Sequence, residues 1–373
     1  MAVFVGAHRP WTPEETACLD RFCEVNDAVV FCDHTSGYHG KYRILGALLG
    51  CQEGIDRSLY RPDILIHIGE VSGDYDTQTF WGKEVWRVNL DGEIRDTFRR
   101  LRYVFEMSEQ RFFRMYSESA PQRTAYFERC KAALGEIQAK VPVLPFSNIW
   151  LASQIAKDIP QGSVIHFAIL NSLRSWNFFN LPPGVQSASN VGGFGIDGCM
   201  STLIGASLAD PDRLFFLVTG DLAFFYDMNA LGNRHLGSNV RILLVNNGKG
   251  TEFKLKSHTA SAFGDDADTF IAAGGHFGNQ SRDLVQGYAK SLGMEYIAIS
   301  SKQESEAAFA RLLATEKQER PILVEAFVFS SDDADALKIM KTSDQNWNTK
   351  ARRMVRDALG PQRINAAKRI LGH

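Results

Sequence analysis

Over residues 1–107, short apolar runs alternate with amphipathic stretches. AVFV (2–5), AVVFC (28–32), DILIHIG (63–69) and VWRVNL (85–90) are β-branched and nearly continuous, the pattern of parallel strands buried on both faces. Between the first two lies TPEETACLDRFCEV. Thr12 is placed to cap a helix there, with Pro13 at its first position and acids in its first turn. KYRILGALLG (41–50) is expected to supply the next helix. Residues 108–140 are helical in pattern, charged, aromatic and broken near Pro121, and VPVLPFSN (141–148) reads as a hinge in which Ser147 caps a helix to about Ile159. Strands recur at SVIHFAIL (163–170), RLFFLVT (213–219), RILLVNN (241–247) and PILVEAFVF (321–329), with helices over 196–208, 227–236, 281–291 and 303–315. The expectation is α/β: two doubly wound, three-layer αβα domains with mostly parallel sheets. They span 1–107 and 148–340, joined by a connector and hinge at 108–147 and followed by a basic helical tail, 341–373.

The chain has 373 residues, too many for one compact core. Its 45% hydrophobic and 23% charged residues and net charge of −2 give no basic excess to draw nucleic acid or an anionic membrane. No apolar run approaches bilayer length, and the start MAVFVGAHRPW lacks a secretory signal pattern. Six cysteines without C-x-x-C spacing read as reduced thiols, so a cytoplasmic protein is expected.

Two motifs compete for the chemistry. GGFGIDG (192–198) fits the dinucleotide fingerprint through Gly193, Gly195 and Gly198, with Asp221 downstream as the ribose acid of a nicotinamide dehydrogenase. A true fingerprint leaves a buried strand directly, yet LPPGVQSASNVG is polar and proline-containing, at most a brief edge strand. Against it stand Gly220-Asp221, closing one apolar strand, and Asn246-Asn247, closing the next. In a right-handed β-α-β unit these strand ends emerge side by side. One carboxylate and one amide oxygen then make a hard half-site suited to Mg²⁺, with phosphate and water completing it. Free N–H groups around Gly220–Ala223 could hold the phosphates. The plain alternative is that Asp221 caps a helix and the asparagines form a turn.

GDLAFFYDMNALGNRHLGSNVRILLVNNGKG resembles the diphosphate–metal motif of thiamine-diphosphate enzymes. The run from VIHFAILNSLR through SNVGGFGIDG to LVEAFVF is most similar to their MenD (SEPHCHC synthase) family, over roughly 163–330. Residues 1–107 resemble the superfamily's central domain more loosely, and the glycine pattern becomes a decoy. The resemblance implies thiamine diphosphate and Mg²⁺ as cofactors. Asp221 and Asn247 would be side-chain metal ligands and the Lys249 carbonyl the third. Gly220, Leu222 and Ala223 would meet the diphosphate, Leu222 and Ala223 through backbone N–H groups. Ile196 would wedge the cofactor's two rings into a V, and the Phe194 carbonyl would accept from the 4′-amino group. Asn171 and Ser172 would flank the diphosphate or substrate, and His258 or His276 could relay protons in a segment that closes over the cofactor.

Two departures shape the expected function. The family's pyrimidine-binding domain, with its activating glutamate, has no segment here, so the chain is expected to be one subunit of a split decarboxylase or carboligase. A separate pyrimidine-domain subunit would complete a dimer or tetramer of heterodimers. A truncated synthase and a non-catalytic scaffold are the alternatives. The substrate-reading arginines of the family are matched by Trp176 and Val191, with Arg174 as a partial substitute. A 2-oxo acid donor with a less anionic carbonyl acceptor, an aldehyde or sugar-like molecule, is therefore expected. Asp33-His34 and His39 read as a strand-ending loop, and Asp332-Asp333 as solvated charges.

Overall fold

The computed structural model describes residues 1–121, 125–254, 258–275 and 280–344. It contains two six-stranded sheets in which all strand pairs are parallel. The first comprises β1 (Ala2–Val5), β2 (Val29–Cys32), β3 (Arg43–Leu45), β4 (Ile64–Ile68), β5 (Glu84–Asn89) and β6 (Leu101–Glu106), in the order β3-β2-β1-β4-β5-β6. The second comprises β7 (Val164–Phe167), β8 (Gln186–Ser189), β9 (Phe215–Gly220), β10 (Val240–Asn246), β11 (Glu295–Ile299) and β12 (Ile322–Phe327), in the order β11-β12-β10-β9-β7-β8.

Four strands escape the hydrophobic pattern: β3, β6, β8 and β11. All four lie at sheet edges, where one neighbour is enough and polar residues are tolerated. Residues 41–50 accordingly split into β3 and a short helix, Gly46–Gly50, rather than one helix. The central strands alternate in two directions. Phe216 and Val218 of β9 and Leu243 and Val245 of β10 face one core, whereas Phe215, Leu217, Ile242 and Leu244 face another.

The helix at Pro13–Val25 carries the capping box that its sequence announces: the Thr12 side chain accepts from the Glu15 N–H, and the Glu15 side chain from the Thr12 N–H. Ser147 likewise caps Asn148–Ile155, shorter than expected because a 3₁₀ turn, Ala156–Asp158, takes over. Helices Glu109–Met115 and Ala125–Lys140, from the stretch expected to connect the units, bury Phe112, Phe113, Tyr126, Phe127 and Ile137 in the first unit's core. That cluster runs without interruption into one face of the second sheet, through residues such as Phe167, Val218 and Val324.

A polar seam locks the units together inside this core. Asn177 is fully buried; its Oδ1 accepts from the His34 N–H at 3.1 Å and its Nδ2 donates to Asp74 at 2.6 Å. The His34 ring lies against the carbonyls of Trp176 and Phe179, and burial pushes its pKa down to about 3, so it is neutral. Asp33-His34 is thus a loop after β2, as expected, but a buried one. Asn177→Ala should leave the buried His34 N–H unpaired and remove one donor from Asp74, which keeps Thr77 Oγ1 at 2.9 Å, lowering unfolding free energy by about 1–3 kcal/mol. A urea titration reads this, and an unchanged midpoint would show that the seam is dispensable.

Candidate functional site

The second sheet reverses its winding between β7 and β9, since β8 lies outside β7 while the chain then builds outward from β9. Ligands bind in the crevice beyond the carboxyl ends of strands at such a switch point. Three segments converge there: Ala168–Leu170 after β7, the Gly220-Asp221 junction of β9 with its helix, and Asn247–Lys249 after β10.

Asp221 opens the helix Asp221–Asp227 directly, with Gly220 as N-cap and no side chain capping the first turn. The sequence pattern placed this helix at 227–236. In the structure it begins six residues earlier and gives way to a 3₁₀ turn at Met228–Gly232, because β9 passes into it without a loop. The Asp221 side chain is buried and its pKa rises to about 7; desolvation is the main cause, and the like charge of Glu325 adds to it. The nearby backbone N–H groups of Leu222, Gly248 and Asp221 itself oppose the rise. Gly248, at φ +76°, belongs to the turn after β10, the strand paired with β9.

Asn246 and Asn247 point different ways. Asn246 is buried and donates to Glu325 Oε1 at 2.7 Å, while Tyr296 donates to Glu325 Oε2 at 2.6 Å. Asn247 accepts the Lys249 N–H on Oδ1 at 3.3 Å and donates through Nδ2 to Asp333 at 3.0 Å. Lys249 sends its ammonium to Asp268, 2.8 Å away.

A divalent cation with diphosphate fits this set. Asp221 supplies a desolvated carboxylate and Asn247 an amide oxygen, with the Lys249 carbonyl beside them in sequence. All are hard oxygen donors, the kind that Mg²⁺ takes sparingly before completing its shell with phosphate and water. Among the described residues no group of three or more His, Cys, Asp or Glu could hold a metal, which leaves mixed-oxygen sites of this type.

The other expected residues fall as follows. Asn171 begins the short helix Asn171–Trp176 and meets Thr251 Oγ1 at 2.7 Å; Ser172 is buried beside it. Leu222 is half-buried and Ala223 buried in the first turn after β9. Ile196 is half-buried and packs against the second sheet's outer core. Phe194 is 45% exposed at φ +52°, its ring against Gly73 of the first unit, where an added Cβ would come within 2.5 Å. His258 accepts the Ala260 N–H on Nδ1 at 3.1 Å and packs edge-on against Phe253. His276 lies outside the described residues, as does the tail beyond 344.

Some sequence readings are corrected. Asp333 is no solvated charge: it sits on helix Ser330–Thr342, accepts the Asn148 N–H at 2.8 Å as well as Asn247, and burial lifts its pKa to about 6. Arg174, expected to read substrate carboxylates, is committed to Glu252 and to the Gly73 carbonyl at 2.7 Å and 3.1 Å. Trp176 is core, stacked near Phe167. A cavity of about 540 Å³ opens between the units, lined by Tyr75, Asn171, Arg174, Glu252, His258 and Asp333 among others.

β8, which leads to the glycine run, pairs with β7 alone at the sheet edge, so the run lacks the central strand of a dinucleotide fold. Residues 173–326 match the family described as thiamine pyrophosphate enzyme, C-terminal TPP binding domain. The chain belongs to the thiamine-diphosphate enzyme superfamily. Over 264 residues it is 32% identical to the 2-succinyl-5-enolpyruvyl-6-hydroxy-3-cyclohexene-1-carboxylate synthase of Bacteroides fragilis, an overlap of 69% of this chain and 44% of that protein. The enzyme of the same description from Bacteroides thetaiotaomicron is 30% identical over 263 residues, again 69% of this chain and 44% of the relative. That of Desulfotalea psychrophila is 28% identical over 333 residues, 84% of this chain and 57% of the relative. The chain thus spans about half the length of these curated relatives. Membership implies thiamine diphosphate with a divalent metal, typically Mg²⁺. Among the described residues no helix is long and apolar enough to cross a membrane.

The raised pKa of Asp221 has a consequence for the metal-free chain. The folded state keeps a proton that the unfolded state has lost between about pH 4 and pH 7, so this group costs stability progressively through that window and fully above it. Asp221→Asn should therefore raise the metal-free Tm at pH 8 by about 5 °C, with the gain vanishing near pH 4. Thermal melts at both pH values decide; a variant that melts lower at pH 8 contradicts the burial argument.

Proposed function

We propose that this chain holds the diphosphate and metal of thiamine diphosphate in an enzyme that joins or cleaves carbon–carbon bonds next to a carbonyl, a 2-oxo acid decarboxylase or carboligase. The observation that supports this reading is the convergence of Asp221 and the Asn247-Gly248 turn at the ends of the neighbouring parallel strands β9 and β10. When bound, the cofactor would supply a nucleophilic carbon for the donor's carbonyl and an electron sink for the charge left by CO₂.

The chain's own residues have separable tasks in this proposal. Asp221, Asn247 and the Lys249 carbonyl hold the metal. The N–H groups of Leu222 and Ala223, with Asn171 and Ser172 opposite, hold diphosphate oxygens. Ile196 supports the cofactor from the core side, and the Phe194 carbonyl receives its amino group. His258 lines the cavity and is placed to pass a proton to or from a substrate oxygen.

The carboxylate that activates the cofactor's pyrimidine belongs, on this reading, to a pyrimidine-binding domain on a partner polypeptide. Two such pairs would form the smallest assembly.

Calorimetric titration with thiamine diphosphate and Mg²⁺ should show saturable binding that requires both. Asp221→Ala and Asn247→Ala should each abolish it while NAD(H) binds none of the three proteins. Exchange of the cofactor's C2 proton should stay slow with this chain alone and accelerate when a pyrimidine-domain partner is added. Rapid exchange by the isolated chain would remove the case for a partner.

A further inference from the structure

Asn247 can serve as a metal ligand only if its Oδ1, not its Nδ2, faces the ion, and an amide by itself has no preference between the two. Something must fix the flip. In this chain the Nδ2 donates to Asp333 Oδ2 at 3.0 Å, and a carboxylate can only accept. The other Asp333 oxygen accepts the backbone N–H of Asn148 at 2.8 Å, in the first turn of helix Asn148–Ile155. That donor cannot rotate away, and its position at a helix N-terminus favours negative charge. Asp333 is therefore held from behind and presents one acceptor oxygen to Asn247. Two weaker contacts flank it: the Lys249 N–H donates to Oδ1 at 3.3 Å and favours the same orientation, while Thr251 Oγ1, at 3.4 Å from Nδ2, could donate or accept and does not set it.

We infer that Asp333, 86 residues downstream of Asn247, is the positioning residue that sets the Asn247 amide so that its oxygen is turned to the metal. The inference rests on the proposed role of Asn247 as a ligand and adds to it a residue that no sequence motif marks. Outer partners of this kind alter metal affinity by about 10–100-fold.

The orientation argument makes an unusual demand on substitutions. In Asp333→Asn, the carbonyl oxygen stays with the Asn148 N–H and the new NH₂ faces Asn247. Asn247 then flips to offer its oxygen to that NH₂, leaving its own NH₂ towards the metal. In Asp333→Ala nothing forces the flip, and Thr251 with water can accept the Nδ2 hydrogen. The near-isosteric amide should thus harm metal binding more than the truncation does. A merely structural role predicts the reverse, since Ala loses both bonds, one to the helix at Asn148–Ile155 and one to the turn after β10.

The test is Mn²⁺ binding by the full chain in the presence of thiamine diphosphate, read by electron paramagnetic resonance, beside thermal melts of each variant. Asp333→Asn is expected to weaken Mn²⁺ binding about 10–100-fold, and Asp333→Ala less, although Ala melts lower. Asn equal to wild type, or Ala weaker than Asn, overturns the inference and leaves the proposed function standing. Mn²⁺ that binds wild type no better than Asp221→Ala overturns the function reading, and the role of Asp333 with it.

Discussion

One carboxylate removed from water organises the second unit. At the end of β9 the Asp221 side chain has lost its hydration, and the backbone N–H groups of Leu222, Gly248 and Asp221 itself offset this only in part, so its pKa stays raised to about 7. On the proposed reading a divalent cation would relieve this cost. The helix starts without a side-chain cap, Gly248 turns in a left-handed conformation, and the Asn247 amide already has its nitrogen engaged. The site resembles a socket whose unfavourable electrostatics are stored in the fold and released on binding.

The architecture around that socket follows from shared burial. The core of the first unit continues into one face of the second sheet, and the seam through Asp33, Asp74, His34 and Asn177 lies within it. Buried carboxylates of this kind tolerate few arrangements, because each lost partner leaves an uncompensated polar group. The seam therefore contributes orientation more than adhesion. It fixes where Tyr75 and Arg174 meet across the cavity, the arginine over the tyrosine ring at 5.4 Å.

What the sequence made legible was whatever is local or repetitive. The eight long apolar runs are strands, and Thr12 and Ser147 cap the helices they precede. The Gly-Asp and Asn-Asn pairs sit at adjacent strand ends because a β-α-β unit leaves them no other place. The edge strands stayed hidden for a physical reason: β8 reads QSAS, with one neighbour and no apolar face to mark it. Asp333 was equally invisible. It read as a solvated charge, yet its contacts reach Asn247, 86 residues upstream, and Asn148, 185 residues upstream. Arg174 shows the opposite error, in which a cation near the expected substrate turned out to be spent on Glu252 and a carbonyl.

Gly73 carries a consequence of its own. It lies in the first unit, in a left-handed turn, with the ring of Phe194 where a side chain would begin. A methyl group there would shove the glycine-rich loop of the other unit, together with whatever rests on Ile196 two residues on. Damage to a turn with no chemistry of its own would surface as a fault in coenzyme geometry. The two halves of this chain are thus bound to drift together through evolution, and a module transplanted from a cousin would have to bring its neighbour along.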